Sequence, residues 1–259
     1  MKGNKLDTLA ERLSQENVSH LYRGEDYKEL FFVKQRYIST GSQELDRLFD
    51  YGIEPYKIYE IYGPAGTGKT ILLHQIVANS FEENMLGYSY YMDGEGNFNP
   101  ELLLRLLEKK GKREHIKHVR YSRVKGASHL SMLINKILEK KREEDVNVVV
   151  IDNLTEIIRA EVNRRDPRAI HSYTRKLLLE LHNIKEELAI PIVLTVRIYG
   201  VLHDVFAEAY EPYGGLAQSS MVNKLISLTK ETDFFRAIDP YGLKPTALFK
   251  ISEEGISDI

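Results

Sequence analysis

Over residues 1–36 the chain is polar and charge-balanced, and only Leu6, Leu9, Ala10 and Leu13 fall at helical spacing, which predicts one short amphipathic helix. From Tyr37 onward the pattern changes. Short apolar runs alternate with helix-length periodic segments, which is how a mostly parallel sheet covered by helices reads. The chain is therefore expected to divide into a short helical N-terminal segment, 1–36, and an α/β core, 37–259.

Within the core, Tyr56–Tyr62 is the first expected strand, and after a glycine-rich turn Leu72, Leu73, Ile76 and Val77 mark a helical face. Leu86–Met92 is the second strand, and Pro100 stands at the first-turn position of a leucine-rich helix that ends before Gly111. A strand near 117–121 and a helix near 128–141 follow. The run Val146–Ile151 is apolar without interruption, typical of a strand buried on both faces, and Leu154–Ala160 is read as helical. Ile170, Tyr173, Leu177, Leu181, Ile184 and Leu188 recur at three- and four-residue spacing, predicting the longest helix, which stops before Pro191. Ile192–Val196 is a further buried strand. Ile198–Tyr213 has no period and reads as a long loop, a kind of segment that is often functional in compact domains. Lys224–Thr229, Phe234–Ile238 and Ala247–Ile251 are strand-like with turn residues between them, which predicts an antiparallel extension of the parallel sheet. The sequence contains no internal repeat and no low-complexity segment.

Composition narrows the function. With 259 residues, 42% of them hydrophobic and 29% charged, the chain can bury a sizeable core. Lys+Arg 36 against Asp+Glu 38 gives a formal charge of -2, so no global positive field draws it to nucleic acid or anionic membrane, and any such binding must be local. The absence of cysteine removes disulfides, thiolate catalysis, Cys-ligated zinc and iron–sulfur clusters. The opening MKGNKLDTLAERLSQ lacks a signal-peptide apolar run, and no stretch reaches the ~18 apolar residues of a membrane span. A soluble, cytoplasmic protein with no membrane partner is expected.

The strongest chemical signal is GPAGTGKT, Gly63–Thr70, which fits G-x-x-x-x-G-K-[ST] between a predicted strand and a predicted helix. Gly63, Gly66 and Gly68 let the backbone curl so that its N–H groups and the helix N-terminus face a phosphate chain. Pro64, Ala65 and Thr67 complete that cradle. Lys69 would reach the β- and γ-phosphates of ATP and the Thr70 hydroxyl would enter the Mg²⁺ shell. Mg²⁺ needs a second oxygen ligand, usually an acid at the end of a buried strand, and Asp152 closes VNVVVID. An Asp in that position also caps a following helix, so the residue alone leaves both roles open. ATP hydrolysis further requires a carboxylate to orient and partly deprotonate water. In YYMDGEGNFNPE, Asp93 and Glu95 lie just past a strand, and Glu95 is the chosen candidate; capping of the helix near Pro100 is the other reading of these acids.

These motifs lie within stretches in which the sequence resembles the RecA/RadA recombinase family, especially its archaeal RadA and RadB branch. The matching stretches are ISTGSQELDRLFDYGIEPYKIYEIYGPAGTGKT (38–70), YMDGEGNFNPE (91–101), VVVIDNLTEIIRAE (148–161), IPIVLT (190–195), YGGLAQSSMVNKLISLTK (213–230) and TALFKISEEGISD (246–258), in consistent order over 37–259. The resemblance implies a RecA-like P-loop ATPase core. It carries the family's catalytic glutamate onto Glu95, its phosphate and magnesium residues onto Lys69 and Thr70, and its second-strand aspartate onto Asp152.

Departures from the family pattern reshape the expectation. Where the family has T-N-Q, with the glutamine sensing the γ-phosphate and relaying it to a DNA-binding loop, this chain has Thr195, Val196 and Arg197. Arg197 is either a cation on the γ-phosphate or a salt-bridge partner at the strand end. The segment matching the second DNA loop, Ile198–Tyr213, has no Lys or Arg and carries Asp204, Glu208 and Glu211, which opposes phosphate binding, while its aromatic residues suit bases or a protein partner. Arg164, Arg165 and Arg168, in the segment matching the first DNA loop, suit phosphate contact, and Arg159 lies nearby. A second basic stretch runs from Lys109 to Lys125. The family's Phe-x-x-Ala assembly motif is absent, since Phe31 and Phe32 are followed at the third position by Lys34 and Gln35; Asp239 and Pro240 fall where the family caps a neighbour's nucleotide. His115 and His118 form H-x-x-H without further ligands to complete a zinc site.

The expectation is an ATPase dependent on or modulated by DNA, using ATP and Mg²⁺, acting in homologous recombination and DNA repair. It would assist the main RadA-type recombinase, bind single-stranded DNA, and partner the main recombinase, another paralogue or copies of itself. The alternatives are a nucleotide-gated protein-interaction module and a KaiC-like signalling ATPase, neither binding DNA.

Overall fold

The central apolar runs of the core form strands because each can bury both faces between helical layers. A computed structural model describes residues 37–81, 87–162, 167–197, 221–241 and 244–259. The expected N-terminal helix, the loop 198–213, Arg164 and Arg165 lie outside the described residues. The strands are β1 (Ile58–Gly63), β2 (Tyr88–Asp93), β3 (Val119–Arg123), β4 (Val146–Asp152), β5 (Ile192–Arg197), β6 (Lys224–Lys230), β7 (Phe235–Ile238), β8 (Ala247–Ser252) and β9 (Gly255–Asp258). Among the described residues they make one nine-stranded sheet in the order β3-β2-β4-β5-β1-β6-β7-β8-β9. The pairs from β3 to β6 are parallel, and β7, β8 and β9 add in antiparallel fashion.

The helices are α1 (Gln43–Leu48), α2 (Lys69–Asn79), α3 (Pro100–Lys109), α4 (Ala127–Glu139), α5 (Leu154–Glu161) and α6 (Pro167–Leu188), with a 3-10 turn at Arg113–His118. Strand alternation sorts them into two layers. Tyr59, Ile61, Tyr91 and Val150 join the core formed with α1, α2 and α3, whereas Ile58, Tyr62, Val149 and Ile151 pack with α4, α5 and α6. The predicted stripe of α6 faces that second core, with Ile170, Leu177, Leu181 and Ile184 buried and Tyr173 and Leu188 partly so. α3 starts where Pro100 and its cap dictate: the Asn99 side chain accepts the Leu102 amide at 2.9 Å.

The first strand begins at Ile58 rather than Tyr56, because Tyr56 sits in a turn with φ 60°. Residues 117 and 118 belong to the 3-10 turn, so β3 starts at Val119. The run at 224–230 pairs parallel with β1, so the antiparallel extension starts only at β7. A fourth tail strand, β9, hairpins from β8 through Glu253 and Glu254, too short to show periodicity. It fastens the two ends of the core together: Asp258 accepts the Ser42 hydroxyl at 2.5 Å and the amides of Gln43 and Glu44, at the first turn of α1. Among the described residues no helix is long and apolar enough to cross a membrane.

Leu72 of α2 is fully buried whereas Leu179 of α6 is 53% exposed. In urea unfolding, Leu72→Ala is expected to cost about 2–5 kcal/mol and Leu179→Ala less than about 0.5 kcal/mol. Equal costs would contradict the two-layer packing.

Candidate nucleotide site

The site is built at the carboxyl ends of four parallel strands, where open α/β sheets place their ligands. β1 ends at Gly63, and the loop returns to begin α2 at Lys69. Gly63 is required by close approach, since a Cβ there would run into the Leu228 carbonyl of β6. Gly68 has φ 87°, a conformation other residues reach only with strain, and no side chain caps α2. The first-turn amides of α2 are thus left without a side-chain cap, the arrangement that suits an anion at a helix N-terminus. Within the loop the Thr67 hydroxyl donates to the Pro64 carbonyl at 2.9 Å.

Lys69 is 8% exposed, and its ammonium donates to the carbonyls of Gly63 at 2.8 Å and Pro64 at 2.6 Å. Burial, with Arg197 as the next cause, lowers its pKa to about 8. The neighbouring Thr70 hydroxyl donates to Asp152 Oδ2 at 2.8 Å. Asp152 is 2% exposed; it also accepts Thr195 Oγ1 of β5 on Oδ1 at 2.7 Å and the Tyr91 hydroxyl of β2 on Oδ2 at 3.1 Å. Asp152 is not a helix cap. That task falls to Asn153, whose Oδ1 accepts the Thr155 amide at 2.9 Å.

The two acids after β2 separate cleanly. Asp93 is fully buried and organises the turn, accepting the amides of Glu95 (3.0 Å), Gly96 (2.6 Å) and Asn97 (3.3 Å) on Oδ1 and of Phe98 (3.2 Å) on Oδ2, with Arg123 beside it. Glu95 instead faces the cleft. Its Oε1 accepts Asn153 Nδ2 at 2.8 Å, its Oε2 accepts Asn97 Nδ2 at 2.5 Å, and Arg197 Nη1 stands 3.7 Å from Oε1. Neither acid caps α3, which Asn99 does.

A cleft of about 220 Å³ brings together Ala65, Gly66, Gly68, Lys69 and Thr70 with Glu95, Asn97, Asp152, Asn153 and Arg197. Phe235 of β7 and Ile251 of β8 give it an apolar wall. The Thr70 hydroxyl and the Asp152 carboxylate are hard oxygen donors of the sort Mg²⁺ takes alongside water and phosphate oxygens. Among the described residues no group of three or more His, Cys, Asp or Glu could form an all-protein metal cage, and His115 and His118 pack instead against Phe81 and Tyr88. Sequence reasoning missed Asn97, Asn153, Tyr91 and His74. His74 is fully buried; its Nδ1 meets the Thr70 carbonyl at 2.7 Å and its Nε2 accepts the Asn99 amide at 3.0 Å, so the ring is neutral with its proton on Nδ1. Burial keeps its pKa below the usual histidine value. An His four residues after Thr70, on the apolar face of α2, was the available signal.

Of the basic residues proposed for DNA, Arg168 is exposed in the first turn of α6, and Arg159 pairs with Glu156 at 3.3 Å. In the second basic stretch, Lys109, Arg113, Arg120 and Arg123 pair with Glu254, Glu108, Glu144 and Asp93.

Residues 34–259 match the protein family described as Rad51. Curated relatives include the DNA repair protein RAD51 homolog A of Zea mays and the RAD51 homolog of Solanum lycopersicum, each 27% identical over 236 residues, covering 86% of this chain and 69% of the relative. RAD51 homolog 1 of Arabidopsis thaliana is 27% identical over 235 residues, covering 85% of this chain and 69% of its own.

The lowered pKa of Lys69 has a consequence for the nucleotide-free protein. Between about 8 and the ordinary 10.5 the unfolded chain holds a proton that the folded chain has released, so raising the pH through that window favours the fold. Urea unfolding from pH 8 to 10.5 should show this gain in the wild type relative to Lys69→Met, and parallel pH profiles would contradict it.

Proposed function

The chain belongs to the Rad51 family, and on that premise we propose that it is an ATP-binding and ATP-hydrolysing recombinase paralogue of homologous recombination and DNA repair. The observation that carries the reading is the convergence of Lys69, Thr70, Asp152 and Glu95 on one cleft at the strand ends. In this reading residues 1–36 form a short segment preceding a RecA-like core, 37–259, and the protein acts in the cytoplasm. Within the family we place it nearest the archaeal RadA and RadB branch, as an accessory to a main recombinase. The replacement at Val196 and Arg197 and the acidic character of 198–213 support the accessory role. Arg164, Arg165 and Arg168 are its proposed contacts to single-stranded DNA, and the main recombinase, another paralogue or copies of the chain itself are its proposed protein partners. Family membership supports this role over an interaction module or a signalling ATPase.

The chemistry is positioning plus electrostatics. Gly63–Gly68 present loop amides to the phosphates, and Lys69 transfers its ammonium from the Gly63 and Pro64 carbonyls to the β- and γ-oxygens. Thr70 and Asp152 would hold Mg²⁺, which would supply positive charge against the phosphate oxygens. Glu95, fixed by Asn97 and Asn153, orients the attacking water and accepts its proton.

Steady-state ATP hydrolysis with and without single-stranded DNA tests the proposal. Lys69→Ala and Glu95→Gln should each lower turnover by roughly 100-fold or more, and stimulation by DNA should fade as salt rises. A rate indifferent to DNA at low salt would refute the DNA coupling, and an unimpaired Glu95→Gln would refute the assigned base.

A further inference from the structure

The turn that carries Glu95 has an acceptor for every backbone amide from Gly94 to Asn99. The Gly94 amide donates to the Asp152 carbonyl at 2.5 Å, and the next four, of Glu95, Gly96, Asn97 and Phe98, go to the Asp93 carboxylate. The last goes to a different element: His74 Nε2, on α2, accepts the Asn99 amide at 3.0 Å. The other ring nitrogen, Nδ1, donates to the Thr70 carbonyl at 2.7 Å and stands 3.4 Å from the Tyr91 hydroxyl, which itself donates to Asp152 Oδ2. Thr70 is therefore held twice, by its hydroxyl on Asp152 and by its carbonyl on His74. Phe98 fixes the same contact from the side, its ring stacked on His74 at 5.3 Å and on Tyr121 at 4.5 Å between centroids. His74 is fully buried and is not among the residues that line the cleft. It stands in a row with Leu72, Leu73, Ile76 and Val77, all buried, where a polar ring is tolerated only when its nitrogens are bonded. Leucine would meet the packing need at that position. It could not supply a donor and an acceptor to two different elements.

We propose that His74 is a positioning residue for hydrolysis: it sets Glu95 against Thr70 by fastening the far end of the Glu95 turn to the first turn of α2. This deepens the nucleotide reading above and rests on it. In that reading Thr70 stands where metal and phosphate are held, and Glu95 stands where water is oriented. His74 joins the two through backbone groups alone, so their spacing is set by the fold before any substrate arrives. Loss of the link leaves phosphate binding through the loop amides and Lys69 in place and loosens only the general base. A displacement of about 1 Å at a reacting group costs on the order of 100-fold in rate.

The test compares the full chain as wild type, His74→Leu and His74→Gln in three measurements: steady-state ATP hydrolysis, calorimetric binding of a non-hydrolysable ATP analogue with Mg²⁺, and amide hydrogen exchange of the nucleotide-free protein. Leucine keeps the bulk without polar groups, whereas glutamine brings one acceptor and one donor. His74→Leu should lower kcat by roughly 10- to 100-fold while KM and the Kd of the analogue stay within about threefold, and that binding is the control for an intact fold. In the same variant the Asn99 amide should exchange roughly tenfold faster or more than in the wild type. His74→Gln should recover most of both losses. An unimpaired kcat in His74→Leu, analogue binding weakened as much as kcat falls, an unchanged Asn99 exchange rate, or a glutamine variant as impaired as the leucine one would overturn the assignment. Failure of the wild type to bind the analogue would instead refute the nucleotide site as a whole, and the proposal with it.

Discussion

A single buried carboxylate organises this molecule. Asp152 ends the central strand β4 almost entirely out of water, and an ionised acid there is tolerated only when its oxygens are hydrogen-bonded. Its donors come from three separate elements: Thr70 at the start of α2, Thr195 on β5 and Tyr91 on β2. Hydrogen bonds to a charged group contribute about 1.5–3 kcal/mol each, and removing one partner leaves part of a buried charge uncompensated. The helix that starts at Lys69 is therefore fixed to the sheet through the same carboxylate that is proposed to hold a metal, so stability and the proposed function meet at one residue.

From Asp152 the contacts continue outward in two directions. Asn153, the next residue, caps α5 with its oxygen and holds Glu95 with its nitrogen. On the other side His74 joins the Thr70 carbonyl to Asn99, the cap of α3, and stacks on Phe98. The segment 93–99 that carries Glu95 is thus held at one end by amides on Asp93 and at the other by His74. A change at the phosphate loop has a physical route to the proposed general base through packed, hydrogen-bonded groups rather than through solvent. The two helical layers keep that route rigid, because every strand contributing to it is buried on both sides over most of its length.

The sequence revealed those features that impose a pattern. A phosphate loop has to use glycine where backbone approaches backbone, as Gly63 does against Leu228, so it leaves a legible motif. Doubly buried strands must be mostly apolar, even though β1 buries Glu60 and β5 buries Thr195, and α6 must repeat its stripe for 22 residues. Features that depend on where chains meet in space left no such trace. Nothing in the order Asp93-Gly94-Glu95 says which acid collects amides and which faces the cleft; the turn geometry decides it. An asparagine after a strand reads as a cap, so the second hydrogen bond of Asn153 was invisible. The pairing of Arg197 with Glu95 joins strand ends about 100 residues apart in sequence, and the seat of Asp258 on Ser42 spans 216 residues. β9 and α1 are too short for periodicity to register.

The central claim is that Asp152, together with Thr70, makes the cleft a site for metal-bound nucleotide and not merely a packed corner of the sheet. Its most direct test is ATP binding by wild type and Asp152→Asn, each titrated with Mg²⁺ and with EDTA. Wild type should bind ATP more tightly with Mg²⁺, and in the variant that gain should disappear while metal-free binding through the loop amides and Lys69 persists. An Mg²⁺ gain undiminished in Asp152→Asn would contradict the account.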